Sequence, residues 1–224
     1  LNNARNNVGS KGIFDNAIAT TPSYGIILKG GASNNAFVRN RITNTTNAIS
    51  LEPGTQNNLV TFNHFYGSRG LVGNGVHNAG MNNTFAYNHL YGNEANGLRL
   101  TKSAQWSWIY GNDIFGNGDS GISVESGQET TMFANRFYTN STGITVSTAD
   151  LAAPAVTGLR SIADVFGLPA DNQFGDVAYG SGGAHAAVLY RPQLASRTVP
   201  DRVARPGTIG NSRSTSLSRV VTGP

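Results

Sequence analysis

Three residues of different chemistry, Glu52, His77 and Arg99, follow one another at intervals of 25 and 22 residues. Removing a proton from the carbon next to a sugar carboxylate requires a base near that proton and a cation that neutralises the carboxylate. His77 or Glu52 could be the base, Arg99 or Lys29 could be the cation, and Tyr24 lies beside them in the predicted coil. A solvated face with ordinary mixed charges is the alternative interpretation.

A second group of residues has the chemistry of a sugar-binding surface. Flat aromatic rings with neighbouring hydrogen-bonding groups suit the apolar faces and hydroxyl rims of sugars, and a long ladder of rings suits a polymer. The aromatic members are Tyr66, Tyr91, Phe115 and Tyr138, and the titratable column beside them is Arg41, His64, His89, Asp113 and Arg136. Aromatic neighbours in a sheet also pack on one another as cross-strand pairs, and the sequence leaves both interpretations open.

An internal repeat places all of these residues. Its unit is an asparagine, any residue, then a large apolar residue, and the spacings between successive units are 23, 25, 24 and 23 residues. The leading asparagines are Asn40, Asn63, Asn88, Asn112 and Asn135. A repeat of this length with strand-like alternation and recurrent glycine predicts a solenoid with three short parallel strands in each coil.

The apolar columns of the repeat predict which side chains point inward. The position three residues before each asparagine is Phe37, Val60, Phe85, Ile109 or Met132, and the position two residues after it is Ile42, Phe65, Leu90, Ile114 or Phe137. The third strand follows a glycine phrase and offers an inward apolar pair, although the third coil has Asn78 in place of the second member. We therefore predict an all-β, right-handed parallel β-helix of about six coils, over residues 1–149.

The leading asparagines are predicted to be structural. Coils rise by about 4.8 Å, so identical amides at one turn can pass hydrogen bonds up a buried column. Asparagine also tolerates the left-handed backbone of tight turns. A second column, five residues before the first, contains Asn35, Asn58, Asn83, Ser107 and Thr130.

The strand before the leading asparagine predicts an apolar outer face, which includes Leu59, Trp108, Tyr110 and Phe133. Such a surface is rarely left to water. We expect residues 150–190 or a second subunit to cover it. On the other side of the coil, Lys102 lies at the edge of the candidate site, and the longest turn, residues 67–74, is a candidate lid.

The repeat is not visible outside residues 24–146. Residues 1–23 fit no single spacing and predict an irregular coil, and an N-terminal portion of the protein is expected to precede Leu1. Apolar residues at helical spacing in 157–168 predict a short capping helix within a helical or irregular cap. Residues 180–185 have the composition of a linker, and 191–224 that of a disordered basic tail.

Composition and charge narrow the function. There is no cysteine, and no apolar run is long enough to span a membrane. The net charge is +4, but residues 191–224 contain six arginines and one aspartate, so the tail carries +5 and the rest of the chain −1. A body without a basic stripe gives little reason to expect a nucleic-acid partner.

Residues 111–119, GNDIFGNGD, resemble one copy of a calcium-binding nonapeptide repeat. A calcium cluster needs several converging carboxylates, whereas Asp113, Asp119, Glu125 and Glu129 fall on different strands and turns. We predict neither a metal nor another cofactor.

The strand that begins Tyr24-Gly25-Ile26, within this repeat, resembles the right-handed β-helix family of alginate (mannuronan) carbon-5 epimerases, pectate-lyase-like proteins and NosD-type proteins. In the epimerases the Tyr-Gly-apolar start precedes an Asp-Pro-His element. Ile27, Leu28 and Lys29 occupy those positions here, so only Tyr24 and Gly25 carry over.

These observations predict a secreted or cell-envelope β-helix that binds a polysaccharide. In the enzymatic version it acts on a uronic-acid polymer by elimination or carbon-5 epimerisation. The alternative is a non-catalytic structural, adhesive or accessory surface module.

Overall fold

In a computed structural model, the chain forms three parallel sheets that wind around one core. The structure describes residues 13–19, 23–101, 103–125, 129–146, 157–162, 164–166, 177–179, 186–190 and 219–222. Within this part of the chain there is no helix, and therefore none that is long and apolar enough to cross a membrane.

Each sheet takes one strand from each coil. Sheet 1 contains β1 (Ile13–Phe14), β4 (Ala36–Val38), β7 (Leu59–Thr61), β10 (Thr84–Ala86), β13 (Trp108–Tyr110), β16 (Thr131–Phe133), β19 (Thr157–Ile162), β22 (Ala186–Tyr190) and β23 (Arg219–Thr222). Sheet 2 contains β2 (Ala17–Ala19), β5 (Arg41–Thr43), β8 (His64–Tyr66), β11 (His89–Tyr91), β14 (Asp113–Phe115), β17 (Arg136–Tyr138) and β20 (Val165–Phe166). Sheet 3 contains β3 (Tyr24–Leu28), β6 (Asn47–Leu51), β9 (Asn74–Asn78), β12 (Leu98–Leu100), β15 (Ser120–Val124), β18 (Thr142–Val146) and β21 (Val177–Tyr179).

The predicted solenoid is confirmed, with equivalent residues of successive coils paired in register. His89, for example, pairs with His64 below it and with Asp113 above it. Pairing is parallel throughout the three sheets except between β22 and β23. Every predicted apolar column points inward, and the residues of the first two columns are fully buried.

The leading asparagines form the predicted buried ladder. From Asn40 to Asn135, each Nδ2 donates to Oδ1 of the asparagine one coil above, over 2.8–3.0 Å. The left-handed residue, however, is the one before each ladder asparagine, such as Phe62 (φ 55°) or Tyr87 (φ 53°). Hydrogen bonding, and not tolerance of a positive φ, therefore explains asparagine at this ladder.

Further amide ladders line the other turns, and one of them explains the irregular third coil. In the second column, Asn35 donates to Asn58 and Asn58 to Asn83, but Ser107 follows and is too short to continue. Asn78 bridges the gap, because its Oδ1 accepts from Asn83 and its Nδ2 donates to Ser107 Oγ. Two more ladders contain Asn93, Asn117 and Asn140, and Asn47, Asn74 and Asn96.

Glycine recurs in the third strand because the coils approach closely there. A Cβ atom at Gly75, Gly97 or Gly121 would lie 2.7 Å from the carbonyl oxygen of the glycine in the next coil. Any side chain at these positions would push neighbouring coils apart.

Both ends of the repeat differ from the sequence prediction. The predicted helix in 157–168 is wrong, since β19 and β20 continue sheets 1 and 2. Asp164 takes the ladder position there, fully buried, and its Oδ1 accepts from the backbone N and the Nδ2 of Asn135 at 2.7 and 2.8 Å.

At the other end, the prediction of an irregular coil is wrong for the described residues 13–19. Asn16 joins the ladder by donating to Asn40 at 3.0 Å. The predicted linker 180–185 lies outside the described residues, as does the predicted disordered tail except for β23.

Candidate functional site

The outer face of sheet 3 brings together most of the predicted catalytic residues. Ser50 on β6 pairs with His77 on β9, and His77 pairs with Arg99 on β12. Glu52 follows the end of β6, and Thr101 follows the end of β12. Alternation along the strands turns all five side chains away from the core.

Four of these side chains form one hydrogen-bonded chain. Ser50 Oγ lies 2.7 Å from Glu52 Oε1 and 3.0 Å from His77 Nδ1. On the other side of the imidazole ring, Thr101 Oγ1 lies 3.1 Å from Nε2. The Glu52 carboxylate is therefore connected to His77 through a hydroxyl and does not contact the ring.

The donors in this chain determine the tautomer of His77. Ser50 has one hydroxyl hydrogen, which it donates to Glu52, so its oxygen accepts from His77 and the imidazole hydrogen lies on Nδ1. In the neutral ring Nε2 then accepts from the Thr101 hydroxyl. Nε2 is thus the basic atom of the site, and the Thr101 hydroxyl must turn aside before Nε2 can take a proton from another molecule.

Burial lowers the pKa of His77 from its ordinary value of 6.5. The carboxylates of Glu52 and Glu125 oppose this shift, and the guanidinium of Arg99 supports it. His77 is therefore a neutral imidazole at neutral pH, which is the form that a general base requires.

Arg99 already holds a carboxylate. Its Nε and Nη2 donate to Oε1 and Oε2 of Glu125 at 2.7 and 2.8 Å, a two-pronged pair in which only 26% and 18% of the side chains are exposed. Arg99 lies on the strand next to that of His77, but its guanidinium charge is balanced by Glu125 from the coil on the other side.

Serine, histidine and glutamate occur together here, yet they do not form a nucleophilic triad. In such a triad the carboxylate orients the histidine, and the serine is open to substrate. Here Glu52 bonds to Ser50 itself, and Ser50 is fully buried. The chemistry that the group supports is proton transfer at His77.

The remaining predicted site residues lie at the margin or beyond it. Lys29 is exposed and directly follows β3, beside the coil position of Glu52. Tyr24 begins β3 opposite Asn47, about 10 Å along the strand from the level of Ser50. Lys102 lies outside the described residues. The turn 67–74 is tied to the next coil, since Gly70 N donates to Glu94 at 2.6 Å.

On sheet 2, the aromatic ladder is continuous. The rings of Tyr66, Tyr91, Phe115 and Tyr138 stack in parallel, with centroids 4.9, 4.9 and 4.7 Å apart. Each inner ring therefore covers the faces of its neighbours, and the ring edges and the tyrosine hydroxyls are turned outward. A sugar therefore cannot stack on the faces of the inner rings, although ring edges and hydroxyls remain available at half-buried positions.

The titratable column beside the ladder also pairs within itself. The rings of His64 and His89 stack at 4.5 Å, and Arg136 holds Asp113 in a two-pronged pair. Burial lowers the pKa of His64, and the neighbouring His89 and Arg41 lower it further. Arg41 donates through Nε to the Tyr66 hydroxyl at 2.8 Å, which fixes one end of the ladder.

The outer face of sheet 1 carries aromatic residues that the sequence argument did not identify. Phe62 and Tyr87 are left-handed turn residues whose rings stack at 5.2 Å, and each is about half exposed. They occupy the position immediately before the leading asparagines, so the repeat itself could have revealed them. Trp106 is also a left-handed turn residue, but it lies at the other end of its strand, immediately before Ser107 of the second column.

The expected cover of this face by residues 150–190 is not seen in the part of that segment that the structure describes. Its strands prolong the three sheets, and Trp108 remains 47% exposed and Leu59 38% exposed. Cover by a second subunit through Leu59, Trp108, Tyr110 and Phe133 stays a prediction, which sedimentation of the protein at high concentration can check.

Comparison with known proteins gives a family and a fold. The sequence model of a family described as periplasmic copper-binding protein (NosD) matches residues 4–151. The A-module of Azotobacter vinelandii mannuronan C-5 epimerase AlgE4 is 16% identical, with a TM-score of 0.65 over 80% of this chain and 57% of that one. The alginate lyase of Paenibacillus sp. str. FPU-7 is 12% identical, with a TM-score of 0.48 over 83% and 80%.

The search among curated proteins found no match. The chain spans little more than half of the epimerase module, and at 16% identity that structure supports the fold alone.

The described residues do not fit a copper centre. Among them, no group of three or more His, Asp or Glu side chains could hold a metal ion. Both ring nitrogens of His77 are taken by Ser50 and Thr101, and Met132 is buried in the core. Two of the four carboxylates named for calcium are also engaged, since Asp113 binds Arg136 and Glu125 binds Arg99.

Proposed function

Since the chain belongs to the NosD family of β-solenoid proteins, we propose that it binds a polysaccharide along its outer sheets and alters uronic-acid units of it at sheet 3. The observation that carries the proposal is His77, a neutral imidazole with a defined tautomer, on the strand next to that of Arg99. A secreted or cell-envelope location agrees with this substrate and with the periplasmic description of the family.

In the proposed reaction, Arg99 binds the carboxylate of a uronate unit, and His77 Nε2 takes the proton from the neighbouring carbon. The electron pair of the broken C–H bond spreads into the carboxylate, where the guanidinium stabilises it. It then either forms a carbon–carbon double bond while the linked sugar oxygen leaves with the proton now held on His77 Nε2, or it accepts a proton from water on the opposite face, after which His77 releases its own proton to solvent. The first course is elimination and the second is epimerisation.

Each neighbouring residue has a role in this scheme. Ser50 and Glu52 keep the hydrogen of His77 on Nδ1, so they are positioning residues and Glu52 is not a second base. Lys29 is the second cation at the margin of the site. The ladder of Tyr66, Tyr91, Phe115 and Tyr138, together with His64 and His89, is proposed as a separate contact surface for the polymer, acting through ring edges and hydroxyls. Tyr24 lies about 10 Å along the strand from the level of Ser50, so it is proposed to contact the polymer beside the reacting unit.

The A-module of the mannuronan C-5 epimerase supports the choice of substrate class, because that protein acts on mannuronan, a uronic-acid polymer. Its fold is shared at low identity, so the support is by analogy.

The test is incubation of the protein with a panel of uronic-acid polymers and one neutral polymer as a control. Absorbance of unsaturated sugar ends reports elimination, and proton NMR of the product reports epimerisation. Change in a uronan, with none in the neutral polymer, is the expected result. No change in any uronan contradicts the enzymatic proposal.

A non-catalytic surface module is the second candidate, and a specific observation favours it. Arg99 is neutralised by Glu125, and the aromatic ladder is stacked on itself, so both groups satisfy one another without a ligand. Binding of a polymer without any chemical change would select this function.

A further inference from the structure

We infer that Glu125 is an internal ligand of Arg99 and that a carboxylate-bearing substrate enters the site by displacing it. The inference rests on the proposed function for the identity of the substrate, a uronic-acid polymer. Glu125 then sets the affinity and selectivity of the site, and the structure is the closed state, in which Arg99 is occupied by Glu125.

Among the residues that the structure describes there are three arginine–carboxylate pairs, and the pair of Arg99 with Glu125 differs from the other two. In the pair of Arg39 with Asp15, both side chains are well exposed, at 63% and 59%, and in the pair of Arg136 with Asp113 the arginine is 61% exposed. Arg99 is 26% exposed and Glu125 18%. A charge-assisted pair is stronger when it is shielded from water, and a shielded guanidinium that loses its partner must find another anion.

The backbone allows Glu125 to leave while the coil stays intact. The Glu125 amide donates to Leu100 O at 3.0 Å, and the strand β15 ends one residue earlier. Rotation of the side chain is therefore enough to release the two donors of Arg99. Those donors, Nε and Nη2, present the two parallel hydrogen bonds that any planar carboxylate accepts.

The neighbourhood of Arg99 makes it the productive place for this exchange. His77 pairs with Arg99 on one adjacent strand, about 4.8 Å away, and Glu125 follows the strand on the other side of Arg99. A carboxylate that replaces Glu125 is therefore held between one and two strand spacings from the level of the base, a gap that the sugar ring attached to it spans. The other two pairs differ in this respect: among the described residues no histidine forms an ion pair with Asp15, and His89 beside Asp113 is 42% exposed.

The experiment compares Glu125→Gln with Asp113→Asn, which removes the carboxylate of the matched pair on sheet 2. Calorimetry measures binding of a saturated uronate trisaccharide and of the same trisaccharide with its carboxylates reduced to alcohols. We expect Glu125→Gln to bind the uronate about tenfold more tightly, because hydrogen bonds to a charged group no longer have an internal competitor. Asp113→Asn should stay within about twofold of the wild type, Arg99→Gln should lose the binding, and the reduced sugar should show no gain.

A measurement on the wild type covers the case in which Glu125→Gln does not fold. The ¹⁵N NMR signal of Arg99 Nε should move on addition of the uronate trisaccharide and stay in place on addition of the reduced one. Equal or weaker uronate binding by folded Glu125→Gln, or an unmoved Arg99 signal at saturating uronate, overturns the inference.

Failure of this inference can be told apart from failure of the proposed function. If the wild type alters a uronan but Glu125→Gln gains no affinity, the function stands and the internal ligand is wrong. If Glu125→Gln binds more tightly and no variant alters any uronan, the internal ligand stands and the site is a binding site only.

Discussion

The outer faces of sheet 2 and sheet 3 are built on the same repeat but use it in opposite ways. Sheet 2 presents aromatic residues at the same position of four successive coils, and they stack at 4.7–4.9 Å. Sheet 3 presents Ser50, His77, Arg99 and Ser123 at equivalent positions, four residues of three chemical types. Like side chains one strand spacing apart satisfy one another, whereas unlike side chains form a directed chain of donors and acceptors.

A residue that differs from the other members of its column can form contacts that the repeat itself does not provide. Such a difference does not by itself show that the residue has a chemical role. Residues 77 and 78 both break their columns. Asn78 turns inward and restores a buried amide ladder, so its role is structural. His77 turns outward and lies between a hydroxyl linked to a carboxylate and a second hydroxyl.

The largest effect should come from removing the base of sheet 3. For His77→Gln we expect turnover of a uronan to fall by about 10²–10⁴-fold, with KM little changed, because a general base acts in the transition state. His64→Gln is the matched control, since His64 is the outward histidine of sheet 2. Steady-state kinetics of both variants checks this, and a His77→Gln enzyme as active as His64→Gln would contradict it.

Next in size is the effect of breaking an amide ladder. Asn88 is buried, donates to Val60 O and Asn112 Oδ1, and accepts from the N and Nδ2 of Asn63. For Asn88→Leu we expect the free energy of unfolding to fall by about 1–3 kcal/mol, because these partners are left unpaired inside the protein. Urea unfolding followed by circular dichroism measures the change.

The control for that variant is His89→Leu, which alters the next residue on the outer face of the same turn. It should lower the free energy of unfolding by less than about 1 kcal/mol. If both variants lose the same stability, the ladder does not make the contribution assigned to it.

Most of the fold could be predicted because periodicity determines which side of a strand a residue faces. The inward columns and the asparagine ladder follow from that period alone. Asp164 was not predicted as a ladder residue because it lies 29 residues after Asn135, beyond the usual spacing of 23 to 25. In addition, the inward position that is Met132 in the coil below is the polar Ser161 in this coil. Asp164-Val165-Phe166 nevertheless repeats the ladder unit with aspartate for asparagine.

The candidate site could be predicted only as a set of neighbours. The repeat places His77 and Arg99 on adjacent strands, but it does not determine side-chain rotamers. The sequence did not single out Ser50, which connects Glu52 to His77. It offered Glu125 only as a carboxylate for calcium and not as the partner of Arg99. Their partners depend on rotamers and burial, which no spacing encodes.

The pH dependence of the free energy of unfolding should reveal the titration of the half-buried His77. Burial places the pKa of His77 in the folded state below the ordinary value of 6.5, so the unfolded chain takes up its proton first as the pH falls. The contribution is complete above about pH 6.5 and is lost as the pH falls from there towards the lower folded pKa. Urea unfolding at pH 7.5, 6.5 and about 5.5 should show this decline, and it should be shallower in His77→Gln. Equal slopes in the two proteins would show that His77 is not the group responsible.

The smallest effect should distinguish packing from binding in the aromatic ladder of sheet 2. Tyr91→Phe keeps the stacked ring but removes its hydroxyl, so it should leave the free energy of unfolding within about 0.5 kcal/mol of the wild type. If ring edges and hydroxyls contact the polymer, polymer affinity should fall by about threefold, the effect of one hydrogen bond.

Phe115→Leu is the complementary variant, because it interrupts the stack between Tyr91 and Tyr138 and should lower the free energy of unfolding by about 1 kcal/mol. Calorimetric titration with a uronan, beside urea unfolding of both variants, separates the two roles: unchanged affinity in Tyr91→Phe would make the ladder a packing device and leave sheet 3 as the proposed contact surface.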